Sequence, residues 1–155
     1  MSSAFQSGAA FANKSQTPTP WNAYPQLAAA GLWTTPSDIA GLLIEVCNAL
    51  AGNGLVLTQA SAQAMLSPVD GYQYGLGGAV RNIDGGSSLL FMKSGANRGF
   101  TNWLAFYPQL GEGLVVFTNY VPQPSVFTSI FQAAATAMNW PDFPGLEDSG
   151  PPVGG

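Results

Sequence analysis

Apolar positions along the chain fall into two periods, and the change from one to the other divides it. From Thr35 the spacing is helical. Thr35-Pro36-Ser37-Asp38 offers an N-cap, a proline at the first helical position and an acid at the third. Ile39, Leu42, Leu43, Val46, Cys47 and Leu50 then recur on one face, and Gly52 follows as a stop. A shorter helix is expected from a Thr58 cap to just before Pro68, burying Ala62, Met65 and Leu66. After that the pattern is strand-like. Tyr72 to Val80 alternates bulky residues with Gln73, Gly75 and Gly77, and glycine inside a strand marks close approach by backbone or ligand. Asp84-Gly85-Gly86 reads as a turn. Leu89 to Met92 is apolar on both faces, as a covered central strand is. Phe100–Tyr107 and Leu114–Thr118 read as two more strands joined across Pro108–Gly111. A last helix is expected from Pro124, with Phe127, Ile130, Phe131, Ala134 and Met138 on one face.

Strands that are apolar on both faces need a layer on each side, which the helices at 36–51 and 124–138 would supply. Short connections make adjacent strands antiparallel. The expected class is α+β, an antiparallel sheet flanked by helices. Residues 1–20, rich in Ser, Ala, Gln, Thr and Pro, read as a flexible arm, 21–143 as the domain, and 144–155 as an irregular tail.

Composition narrows the chemistry. Charged residues make up 8% of the 155, against about 25% in ordinary domains, so part of the surface is expected to be covered by another chain or domain. A net charge of −4 with 4 basic residues provides no cluster to neutralise phosphates, which argues against nucleic acid. No apolar run is long enough for a membrane span, and no signal peptide is visible near Met1. The compartment stays open. The chain has no His, which removes Ser-His-Asp and Cys-His mechanisms, and with 1 Cys it leaves little to hold zinc. No metal or cofactor is expected. Cys47, inside the helical stripe, reads as a small buried hydrophobe.

Lys93 is the only lysine in the patterned region. Strand alternation points Lys93 and Ser94 to opposite faces, so the two cannot form a dyad without a bend. A Ser three residues before a Lys would place hydroxyl and amine together on a helix. Lys14 has Phe11 at that offset and Lys93 has Leu90, so no activated nucleophile is recognisable. Taken alone, Lys93 is a strand-end lysine with its head in water. Trp33, Trp103, Tyr72 and Tyr74 read as packing residues, and Arg81 and Glu112 as solvated turn charges.

The run Lys93-Ser94-Gly95-Ala96-Asn97-Arg98-Gly99-Phe100 resembles the third motif of the serine β-lactamase and penicillin-binding protein superfamily. Its continuation is similar to class C β-lactamases and their esterase and D-aminopeptidase relatives, which are bacterial enzymes of cytoplasm and periplasm. Ala28–Asp38, Tyr74-Gly75-Leu76-Gly77 and Leu114–Asn119 are similar to flanking blocks of that superfamily in the same order, over about residues 21–143. The resemblance implies the carboxyl-terminal part of a β-lactamase/transpeptidase-like fold. It implies that Lys93 serves a substrate carboxylate or the proton relay, that Ser94 hydrogen-bonds substrate, and that Gly95 allows close approach. It also implies that the Ala96 N–H forms half of an oxyanion hole, with Asn97 and Arg98 at the rim. The superfamily's Ser-x-x-Lys and Tyr-x-Asn motifs are absent from this sequence.

Three functions are therefore open. The first is the carboxyl-terminal part of a serine hydrolase acting on a small ester, amide or β-lactam, completed by a missing amino-terminal half or within a homo-oligomer. The second is a non-catalytic module for carboxylate-bearing ligands such as peptides or cell-wall fragments. The third is a self-contained hydrolase with an unusual Ser drawn to Lys93.

Overall fold

The computed structural model describes residues 31–69, 72–97, 100–119 and 124–146, so the arm at 1–20 and most of the tail lie outside the described residues. Helix α1 spans Pro36–Leu50 and α2 Gln59–Met65. Strands β1 (Ala79–Ile83), β2 (Ser88–Asn97), β3 (Phe100–Tyr107) and β4 (Glu112–Thr118) follow, and α3 spans Pro124–Ala137. The strands form an antiparallel meander in the order β1-β2-β3-β4. The fold is α+β, a four-stranded antiparallel sheet with three helices among the described residues.

The local signals act as their chemistry requires. Thr35 caps α1: its hydroxyl accepts from Asp38 N–H at 3.2 Å, while the Asp38 carboxylate accepts from Thr35 N–H at 3.2 Å and from its hydroxyl at 2.8 Å. Those bonds hold the Asp38 carboxyl below its usual range. Thr58 caps α2 in the same way, accepting from Ser61 N–H at 3.1 Å.

Alternation along the strands sorts side chains into two cores. On one face Leu43, Val46 and Ala49 of α1 and Ala62 and Leu66 pack on Val80, Phe91 and Phe106. On the other, Phe127, Phe131 and Ala135 of α3 pack on Ala79, Leu90, Met92, Ala105 and Tyr107, joined by Trp140 and Leu146. The sheet thus lies between helices, as strands with two apolar faces demand. The segment after α3 is irregular but anchored. Trp140 Nε1 donates to Glu112 Oε2 at 2.9 Å and the Tyr107 hydroxyl donates to Pro141 O at 3.2 Å.

Several expectations need correction. No strand runs from Tyr72; β1 begins at Ala79, and 72–78 is a bent segment with one isolated bridge, Tyr74 to Ala79. A side chain at Gly75 would collide with the Met65 carbonyl, and Gly77 sits at φ 100°, so these glycines bend the chain around the end of α2. The helical stripes are narrower than drawn. α3 buries the i, i+4, i+8 row Phe127, Phe131 and Ala135, leaving Ile130 and Met138 exposed. On α1, Leu42 is likewise exposed and Ala49 takes a core place. Cys47 is half-buried in that layer, and burial pushes its thiol up. Glu112 is no turn charge, being bound to Trp140, and Arg81 is a half-buried residue of β1. Trp33 is exposed rather than packed in a layer, its ring edge-on to Phe100 at 6.0 Å.

Candidate functional site at the edge of the second strand

The phase of the β ladder decides what Lys93–Asn97 present. In an antiparallel pair, bonded and non-bonded residue pairs alternate, so successive residues turn their N–H and C=O to opposite sides. Val80 donates its N–H to Gln73 O at 3.1 Å, away from β2. The bonded pairs between β1 and β2 are therefore Ala79–Met92, Arg81–Leu90 and Ile83–Ser88. Even-numbered residues of β2 face β1, and odd-numbered residues face β3. The Thr118 hydroxyl gives an independent check: it reaches the Thr101 carbonyl at 3.0 Å, so Thr101 faces β4 and not β2.

β1 ends at Ala79, opposite Met92, whereas β2 continues to Asn97. Ser94 and Ala96 consequently direct their N–H and C=O groups into an edge that no strand occupies among the described residues. Ala96 is exposed there. The other side of the same stretch is fixed by β3, through the pairs Lys93–Leu104, Gly95–Asn102 and Asn97–Phe100.

Side chains divide by face, as the alternation argument requires. Lys93 leaves the strand on the α1/α2 face, opposite Leu104 of that core. Its exposed ammonium donates to the Tyr74 hydroxyl at 3.2 Å and lies 5.9 Å from that ring's centroid. Ser94 is half-buried on the α3 face opposite Trp103, whose ring is 6.5 Å from Phe127. A Cβ at Gly95 would meet the Asn102 carboxamide, with Oδ1 at 2.8 Å. The side chain of Asn97, together with Arg98 and Gly99, lies outside the described residues.

The edge of β2 thus carries Lys93 and the Ser94 and Ala96 N–H groups, with Asn102 of β3 across from Gly95; the Lys93 and Ser94 side chains leave the strand on opposite faces, and the ammonium reaches Tyr74, which packs against the α3-side core. Sequence reasoning missed two of these neighbours. Asn102 sits in a strand of mostly apolar residues and was legible only as the cross-strand partner of Gly95. Tyr74 meets Lys93 because the bent segment before β1 folds back on Ala79, the β1 residue opposite Met92, which alternation along one strand cannot reveal.

Chemically, backbone N–H donors that point the same way on a strand carrying an ammonium suit a carboxylate or the developing oxyanion of an acyl group. No group of three or more His, Cys, Asp or Glu able to hold a metal occurs among the described residues. No described helix is long and apolar enough to cross a membrane. The chain matches no family model, no curated protein and no solved structure.

Proposed function

We propose that the chain is the carboxyl-terminal part of a serine hydrolase of the β-lactamase and penicillin-binding protein type, acting by acyl transfer on a small ester, amide or β-lactam. In this reading it supplies the Lys-Ser-Gly strand and half of the oxyanion hole. The attacking Ser and its Lys come from an amino-terminal half outside this sequence. The observation that carries the proposal is the edge at Ser94 and Ala96, which no described strand pairs, on the strand that carries Lys93. A substrate acyl group laid along this edge would place its carbonyl oxygen at the Ala96 N–H and its carboxylate toward Lys93. Charge developing on that oxygen would then be met by a fixed donor, and loss of one such donor costs about 10²–10³ in rate.

The third option, a Ser within the chain activated by Lys93, has less support: the bonded neighbour of its ammonium is the Tyr74 hydroxyl, and Ser94 lies on the other face. The same observation favours ligand binding without turnover when the chain is alone. The test is a fluorophosphonate and benzylpenicillin labelling experiment read by peptide mass, on the chain alone and mixed with an amino-terminal segment of a β-lactamase-type esterase that carries Ser-x-x-Lys and Tyr-x-Asn. No labelling of the chain alone and labelling of the added segment's Ser in the mixture, reduced by Lys93→Ala, is the expected result. Turnover by the purified chain alone, abolished by Lys93→Ala, would sink the requirement for a partner. A folded chain that gives neither labelling in the mixture nor saturable benzylpenicillin binding would sink both readings.

A further inference from the structure

Lys93 and Tyr74 belong to opposite faces of the sheet and meet at one border of β2. The lysine leaves its strand on the face of α1 and α2, whereas Tyr74 packs against the core on the α3 side. Tyr74 is bridged to Ala79, so it meets Lys93 from the β1 side of β2, the side to which the Ser94 and Ala96 N–H groups also point. Strand β1 ends there, and its register carried one residue further would set Gly78 across from Lys93. Glycine at that place leaves no side chain between the lysine and the phenol.

The two side chains differ in freedom. Tyr74 is half-buried and its backbone is tied down: its carbonyl accepts from Val69 N–H at 2.9 Å, and Gly75 N–H to Gly78 O at 2.8 Å and Val80 N–H to Gln73 O at 3.1 Å flank it. Lys93 is exposed, and a long exposed amine ordinarily samples many rotamers. The phenol gives that amine an anchored position, through the 3.2 Å bond from Nζ and the ring centroid 5.9 Å away. An ammonium has three N–H donors and spends one on Tyr74, while the phenol oxygen accepts with a lone pair and keeps its O–H to donate. The pair therefore offers adjacent N–H and O–H donors and a single positive charge. Two donors this close match the two oxygens of a carboxylate, and one ammonium matches its one negative charge.

We infer that Tyr74 is a specificity-determining residue, which with Lys93 forms a two-point clamp for the carboxylate of an acyl substrate and so selects acidic acyl compounds over neutral ones. The inference rests on the reading proposed above, that this border of β2 holds substrate. It assigns the discrimination to the phenol as well as the ammonium, because the phenol both fixes the amine and supplies the second donor.

The probe is hippurate, which carries an acyl carbonyl and a carboxylate, compared with its neutral amide, hippuramide, each titrated into the ¹⁵N-labelled full chain. Hippurate should give saturable shifts at the Ser94 and Ala96 amides, and hippuramide should bind about tenfold or more weaker. Tyr74→Phe keeps the ring and its packing and removes the hydroxyl; it should weaken hippurate about three- to tenfold and leave hippuramide unchanged. A purely structural role for Tyr74 would move both ligands together. Lys93→Ala should abolish the preference. A wild-type preference below about twofold overturns the clamp. So does a folded Tyr74→Phe chain that keeps the wild-type preference, or one that loses both ligands equally. In each of these cases the edge itself still binds, and the proposed function stands without the clamp. A wild-type chain with no shift at Ser94 and Ala96 with either compound at millimolar ligand overturns the clamp together with the substrate-holding edge beneath it.

Discussion

Phe131→Ala and Ile130→Ala differ by one position on α3 and should differ several-fold in cost. Phe131 is fully buried in the core that backs β2 and β3, while Ile130 is 38% exposed. An aromatic ring buries about 150 Å² or more, worth about 4 kcal/mol at about 25 cal/mol per Å². Alanine keeps a little of that, and the residual cavity adds to the loss, so Phe131→Ala should cost about 3–5 kcal/mol. Ile130→Ala should cost less than about 1 kcal/mol. With a urea slope near 2 kcal/mol/M, the Phe131 variant's midpoint falls by about 1.5–2.5 M and the Ile130 variant's by under about 0.5 M. Urea titration followed by tryptophan fluorescence reads both, with Phe131→Leu as a milder variant should the alanine form be unfolded in buffer. The consequence reaches the candidate site, because Trp103, the cross-strand partner of Ser94, is backed by Phe127 of the same helix. An Ile130→Ala loss equal to or larger than that of Phe131→Ala would refute the facing of α3 and with it the support of β2.

Other outcomes follow from single contacts. Glu45 Oε1 accepts from Leu57 N–H at 2.9 Å and Val56 N–H at 2.7 Å, and these bonds hold its carboxyl below the usual range. The folded value is lowered, so the contribution is present above about pH 4.3 and is lost as pH falls through that lowered value; amide exchange at Val56 and Leu57 should accelerate there, and Glu45→Gln should remove the pH step. Burial, followed by the Asp142 charge, pushes the Tyr107 hydroxyl up to about 12. A raised value means stability that is full below about pH 10 and declines between about 10 and 12, a decline that Tyr107→Phe should flatten in alkaline melts. Gly78→Ala should destabilise by about 1–3 kcal/mol, because its Cβ would meet the Met92 carbonyl at 2.7 Å as well as the Phe91 ring; a change below about 0.5 kcal/mol in urea would count against the close approach of this segment to β2.

Much of the architecture was legible from residue order. The Thr35 and Thr58 caps, the two-faced apolar run at Leu89–Met92, the short connections and the flanking helices each carry a local rule, and the structure obeys them. Legible too was the separation of Lys93 from Ser94, since a side-chain period of two is a property of any strand. Where reading failed, the cause was contact between distant segments. The pattern at Tyr72–Val80 alternates as a strand does, but packing of Gly75 on the Met65 carbonyl bends it instead. Ile130 and Phe131 are indistinguishable by hydropathy; only the placement of α3 on the sheet buries one and exposes the other.

The candidate site divides in the same way. Sequence by itself determined that a Lys-Ser-Gly strand was present, that its amine and hydroxyl diverge, and that Ser-x-x-Lys and His-based nucleophile motifs were absent. It could not determine where β1 stops, and that end is what leaves the Ser94 and Ala96 N–H groups without a partner strand among the described residues. Nor could it set Tyr74 on Lys93, or line α1 along β4. The physical reason is common to all three. Local sequence sets a strand's period and a helix's ends, whereas which segments lie beside a given strand is set by contacts between distant parts of the chain, and only the folded chain decides that.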